Sequence, residues 1–173
     1  MADETESIGV QEVAARLTEK AAHDLAAALA AVPEEKARWE PLGDSRPILE
    51  MAVECCLANR MWSHILVTHQ HAMLPEGEAP AAYKSLDTLT RVIDELKRTS
   101  SELAGTIRAV PDGDLPLVVA FPKRPGAGRP IAECLHHACW NMIYHLGQVA
   151  FIQTLYGDWD EHSDTGPFGD TTD

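Results

Sequence analysis

Three polar side chains stand in one row on an otherwise apolar stretch near the end of the chain. In IAECLHHACWNMIYHLGQVAFIQTLYGD, His137, Asn141 and His145 fall at i, i+4 and i+8, so on a helix they share one face at ~6 Å steps of rise. Gly147 and Gln148 extend that face by a turn, and Leu135, Trp140, Ile143, Val149 and Ile152 surround it. Polar groups among apolar neighbours have to find partners inside the fold. The natural partner is Glu54, the one acid on the stripe Met51, Glu54, Cys55, Ala58, Met61, Trp62 and Ile65. Imidazole and carboxylate projecting inward from facing helices is how bundles assemble metal sites. A buried network in which His145 and Asn141 bond Glu54 and backbone carbonyls accounts for the same spacing, and each i+4 pair of the row contains an Asn where a strong metal signature would have two His.

Other reactive residue types carry weaker signals. The four cysteines, Cys55, Cys56, Cys134 and Cys139, include no CxxC and read as reduced, buried packing residues. His64, His69 and His71 sit at or beyond the end of a helix, where the dipole favours a cation without any catalytic role. The run DWDEHSD lacks the glycine and spacing of a calcium loop and reads as solvated chain. Trp62 and Trp140 read as core or interface aromatics. There is no phosphate loop, no GxSxG and no recognisable Cys–His arrangement.

Four helical segments must position this row. Val10, Val13, Leu17, Ala21, Leu25, Ala28, Leu29 and Val32 recur at three and four residues up to Pro33, predicting a first helix. Ser45 and Pro47 open a second that runs to about His69. Gln70 to Lys84 reads as an irregular connection. Ser85 caps a third helix ending at Pro111, with Leu86, Leu89, Val92, Ile93, Leu96, Leu103, Ile107 and Val110 inward. Leu117 to Phe121 is β-prone but without an evident partner, so the segment before Arg129 is predicted to be an extended loop. The fourth helix is predicted from Arg129 or Pro130 to Tyr156, with Gly157 at C′. An all-α four-helix bundle follows, and connections of roughly 15 and 18 residues are long enough for helices 2 and 3 to run parallel after a crossover. Helix direction then separates two sites. Parallel helices 2 and 4 would bring His137 level with Glu54; antiparallel ones would bring His145.

Composition bounds the function. The chain of 173 residues suits one domain. With 27 acidic against 14 basic residues and a net charge of −13, nucleic acid and anionic membrane are not expected partners. Much of that charge lies in residues 1–9 and 158–173, which hold no Lys or Arg and read as acidic tails flanking a domain over residues 10–157. No leader pattern and no apolar run of ~20 residues is present, so a cytoplasmic location is expected.

The stretch YHLGQVAFIQTLYGD, with RWEPLGDSRPILEMAVECCLANRMW before it, resembles the DinB-like superfamily over about Val10 to Asp158. The resemblance implies an up-down-down-up bundle, a tendency to form homodimers, and a divalent metal held by one His from helix 2 and an HxxxH pair from helix 4. Characterised relatives transfer low-molecular-weight thiols such as bacillithiol or mycothiol, or isomerise small substrates with a thiol cofactor. Carried onto this chain, the helix 2 ligand falls on Glu54 and the pair on Asn141 and His145. Only His145 is the family's residue type. Glu54, Asn141 and His145 would form a harder O, O, N set, suiting Mn, Fe, Ni or Mg better than Zn; the metal is expected among Mn, Fe, Ni and Zn. The implied topology makes helices 2 and 4 antiparallel, which selects His145 and leaves His137 as an outer or alternative ligand. Tyr144 stands where many relatives carry a His and would donate a proton or hydrogen bond. Two functions remain open: a metal-dependent transferase or hydrolase acting with a small thiol on a small-molecule electrophile, and a non-catalytic dimeric small-ligand or stress-associated module whose polar face is structural.

Overall fold

Alanines set the spacing of the first helix, α1 (Val10–Ala30). Ala14, Ala15, Ala21, Ala22 and Ala28 are buried with Leu25 and Leu29 on one helical face, and their small side chains let two neighbouring helices approach closely. The computed structural model describes residues 8–43, 45–71, 74–121 and 128–163. Along them follow α2 (Ile48–Thr68), α3 (Glu78–Ser85), α4 (Leu89–Arg108), a two-residue ladder of β1 (Val118–Val119) and β2 (Arg129–Pro130), α5 (Ile131–Cys134) and α6 (His137–Leu155). The long helices α1, α2, α4 and α6 form the bundle, α1 and α2 each packing on both α4 and α6.

Side-chain contacts fix the direction of each helix. Gln11, at the start of α1, donates from Nε2 to Val110 O just past the end of α4 at 3.1 Å, and Arg108 of α4 reaches Glu12 and Glu19, so these two run antiparallel. Cys56 against Val92 O and Asn59 against Ser100 advance together, making α2 and α4 parallel. Cys139 against Leu17 O and Gln153 against Ala28 O do the same for α6 and α1. Trp62 lies against His137 while Glu54 lies against His145, so α2 and α6 are antiparallel. The bundle is up-down-down-up, with the crossover between α2 and α4 that the long connection permits.

Ile48, Ile65, Leu96, Leu103, Ile107, Ile131 and Met142 are fully buried at the centre, each worth roughly 1.5–3 kcal/mol of transfer free energy. One polar cluster interrupts this core: Asn59 Nδ2 donates to Ser100 Oγ at 2.9 Å and to Thr99 Oγ1 at 3.3 Å, tying α2 to α4 where a mismatch in register would leave a buried amide unpaired.

Four details depart from the sequence-based expectations. The connection after α2 contains the short helix α3, whose Ala82 is buried. Ser85 ends that helix instead of capping the next; the cap of α4 is Thr88, whose hydroxyl accepts from Arg91 N at 3.4 Å. Val118 and Val119 do have a partner, pairing antiparallel with Pro130 and Arg129. The last helix is interrupted at Leu135 and His136, yet Ile131, Cys134, Leu135, Ala138 and Met142 keep one buried face across the break, so periodicity alone does not disclose it. At its far end α6 closes as expected: Gly157 has φ +95, Asp158 N bonds Gln153 O at 3.0 Å and Gly157 N bonds Thr154 O at 3.2 Å, the paired bonds of a Schellman cap. Residues 1–7 and 164–173, where most of the acidic tails fall, lie outside the described residues.

Candidate functional site

Glu54 and His145 meet across the groove between α2 and α6. His145 is buried, and its Nε2 stands 3.5 Å from Glu54 Oε1, too long for a strong hydrogen bond. The other ring nitrogen, Nδ1, lies 2.7 Å from Gln148 Oε1, and the same amide donates from Nε2 to Tyr144 Oη at 3.3 Å. A carboxamide oxygen can only accept, so Nδ1 carries a hydrogen, and Nε2 is the ring atom turned to Glu54, a lone pair in the neutral ring and a donor in the imidazolium. A neutral ring would set two acceptors face to face, which is favourable only with a positive charge, a proton or a metal ion, between them.

Arg46 holds the opposite side of the carboxylate, its Nη1 on Glu54 Oε2. Burial works against the charge on Glu54, but the Arg46 guanidinium, assisted by His145, outweighs it and keeps the carboxyl below its ordinary range. Glu54 is therefore an anion with one oxygen committed to Arg46 and the other turned to His145.

Asn141 lies one turn before His145 on α6, and its Oδ1 is buried without a hydrogen-bond partner. An orphaned buried carbonyl oxygen calls for a donor or a cation. Glu54, Asn141 and His145 thus present an anionic oxygen, a neutral oxygen and an imidazole nitrogen. Among the described residues no three His, Cys, Asp or Glu side chains come together to hold a metal ion; a cation here would rest on Glu54 and His145 with the Asn141 amide as third donor. In donor chemistry the three fit a divalent ion of the harder kind. The Arg46 charge and the neutral amide both reduce the attraction such an ion would feel.

His137 is not part of this group. Its ring packs on Trp62 with centroids 4.4 Å apart, two helical turns, ~12 Å, from His145 along α6. Burial against the indole, with Arg129 adding to it, lowers its pKa. Trp140 and Tyr144 are exposed and stack nearly parallel, centroids 5.7 Å apart at 17°. Half-exposed, Tyr144 meets the site twice, its ring edge-on to the His145 ring with centroids 5.3 Å apart and its hydroxyl through Gln148.

All four cysteines are buried and free. Burial pushes the Cys56 thiol up to about 12, Cys134 to about 11, and Cys55 well above its ordinary value, so none of these three supplies a thiolate near neutral pH. A cleft of about 200 Å³ opens between α2 and α3, lined by Arg38, Leu49, Glu50, Val53, Tyr83 and Leu86; Tyr83 on its wall also meets Arg46. Sequence reasoning missed Arg46. It lies before the helix proper, two turns from Glu54, and nothing in the spacing distinguishes it from the other arginines.

Residues 17–149 match a family model described as the DinB superfamily. No curated protein matches the chain.

Proposed function

The chain belongs to the DinB superfamily, and from that premise we propose that it is a divalent-metal-dependent transferase joining a low-molecular-weight thiol of the bacillithiol or mycothiol type to a small electrophile. The observation that carries the proposal is the approach of Glu54 Oε1 to His145 Nε2 at 3.5 Å, with the unpartnered Asn141 Oδ1 one turn earlier on α6. When bound, the cation would supply Lewis acidity, making a thiol or water nucleophilic near neutral pH. Glu54, His145 and Asn141 would hold it. Gln148 fixes the tautomer of His145 so that Nε2 stays available. Tyr144 accepts from Gln148 and keeps its own phenolic hydrogen for donation to a leaving group. The raised pKa values of Cys55, Cys56 and Cys134 support a thiol brought from solution.

Arg46 favours a second reading. Its ion pair with Glu54 already balances one anion, and a proton on His145 Nε2 would join that atom to Glu54 Oε1 as a metal ion would. In that case the network is structural and the protein is a non-catalytic small-ligand module.

Thiol consumption separates the two. Purified protein supplied with Mn, Fe, Ni or Zn should consume a small thiol in the presence of electrophiles carrying a displaceable group, and Tyr144→Phe should lower the rate on the order of 10²-fold. No consumption with any metal across an electrophile panel would overturn the transferase reading.

A further inference from the structure

One arginine of this acidic chain is left over. Acids outnumber bases 27 to 14, and among the described residues every other arginine pairs with an Asp or Glu side chain. Arg38 instead donates from Nη2 to the main-chain oxygen of Asp87 at 3.1 Å, which leaves most of its guanidinium donors for another acceptor. Its place in the fold is fixed from two sides. Ala37 beside it is buried and accepts from Leu49 N at 3.0 Å, and the bond to Asp87 O ties the guanidinium to the chain entering α4. Arg38 is thereby held at the first turn of α2, where the helix dipole favours an anion.

The cleft of about 200 Å³ that Arg38 lines supplies a second donor and an apolar side. Tyr83 Oη accepts from the Arg46 guanidinium, which can only donate, so the phenol keeps its own hydrogen for another acceptor. Leu49 and Val53 are buried, and Leu86 packs on the same core. The volume falls below the roughly 300–1,000 Å³ of pockets that take drug-sized molecules, so the occupant is small. We propose that this cleft binds a small aliphatic monocarboxylic acid, its carboxylate on Arg38 and the Tyr83 hydroxyl and its hydrocarbon part on Leu49, Val53 and Leu86. Charge sets the limit of one carboxylate. Arg38 and Arg46 are matched by Glu50 and Glu54, and Glu50 stands exposed on the cleft wall, so a second negative charge on the ligand meets repulsion. Arg46, which touches both Tyr83 and Glu54, joins the cleft to the candidate site. On the transferase reading the bound acid is the electrophile; the binding itself needs neither metal nor thiol.

Hexanoate is the probe. Amide resonances of the full chain, labelled with nitrogen-15 and kept in a chelator so that no metal-bound carboxylate contributes, should shift at Leu49, Glu50, Val53 and Tyr83 with an affinity on the order of millimolar. Adipate, with a carboxylate at each end, should bind several-fold more weakly, and Glu50→Gln should narrow that gap. Hexanol and hexylamine should bind far less. Arg38→Gln should weaken hexanoate about tenfold or more, and Tyr83→Phe by a smaller factor, with unchanged helical circular dichroism. No shifts with hexanoate, shifts confined to other residues, equal binding of hexanol or hexylamine, or full affinity in both Arg38→Gln and Tyr83→Phe would overturn the proposal. Each of these results is independent of whether thiol is consumed, so the cleft and the transferase reading can fail separately.

Discussion

Gln148 decides what His145 can do. Replacing it with Leu frees Nδ1 and lets the ring adopt either tautomer, so Gln148→Leu is expected to weaken divalent-metal affinity about 10–100-fold with little change in fold, measured by competition against a chromogenic chelator. Asn141 tests the same donor set from the other side. Asn141→Asp turns the orphaned oxygen into a second anion and should tighten metal binding by about tenfold; with a purely structural network it would instead bury a carboxylate near Glu54 and lower the melting temperature in every metal condition. The meeting of Glu54 with His145 was legible in the sequence because Glu54 was the one acid on the facing stripe. Arg46 was not legible, since its reach to Glu54 depends on how the chain leads into α2 past Pro47. Tyr144 was legible as a site neighbour but not as an exposed one.

At the scale of the elements, the sequence reading held wherever a long apolar period met a strong stop signal. Gly157 is such a signal: its φ of +95 makes Gly157→Ala strained, with an expected loss of about 1 kcal/mol, read by chemical denaturation. Short elements escaped. The eight residues of α3 span barely two turns and carry Pro80 in the first of them, a residue that in sequence reads as a break. The β1 and β2 ladder depends on Val118 and Val119 meeting Pro130 and Arg129, which are far along the chain, and local propensity does not encode that. His137 marks where α6 packs on α2, and it carries a pH signature. Its pKa is lowered from 6.5 in the fold, so the unfolded chain binds the proton more readily and stability falls as pH drops below about 6.5. His137→Phe should flatten that part of the decline in urea unfolding curves taken between pH 7.5 and 5.5.

Across the whole molecule, the bundle's directions make the site. Antiparallel α2 and α6 set Glu54 level with His145 and leave His137 beside Trp62; a parallel pair would exchange them. The same topology turns the uncharged side of α6 outward, next to Tyr144. The central claim is that a divalent cation belongs between Glu54 and His145, and elemental analysis addresses it most directly. Tag-free protein exposed to Mn, Fe, Ni and Zn and then desalted should retain close to one equivalent of one of them, and Glu54→Ala and His145→Ala should each retain essentially none. Wild-type protein that retains no metal, or variants that retain as much as the wild type, would contradict the account and leave the Arg46, Glu54 and His145 chain as a structural network.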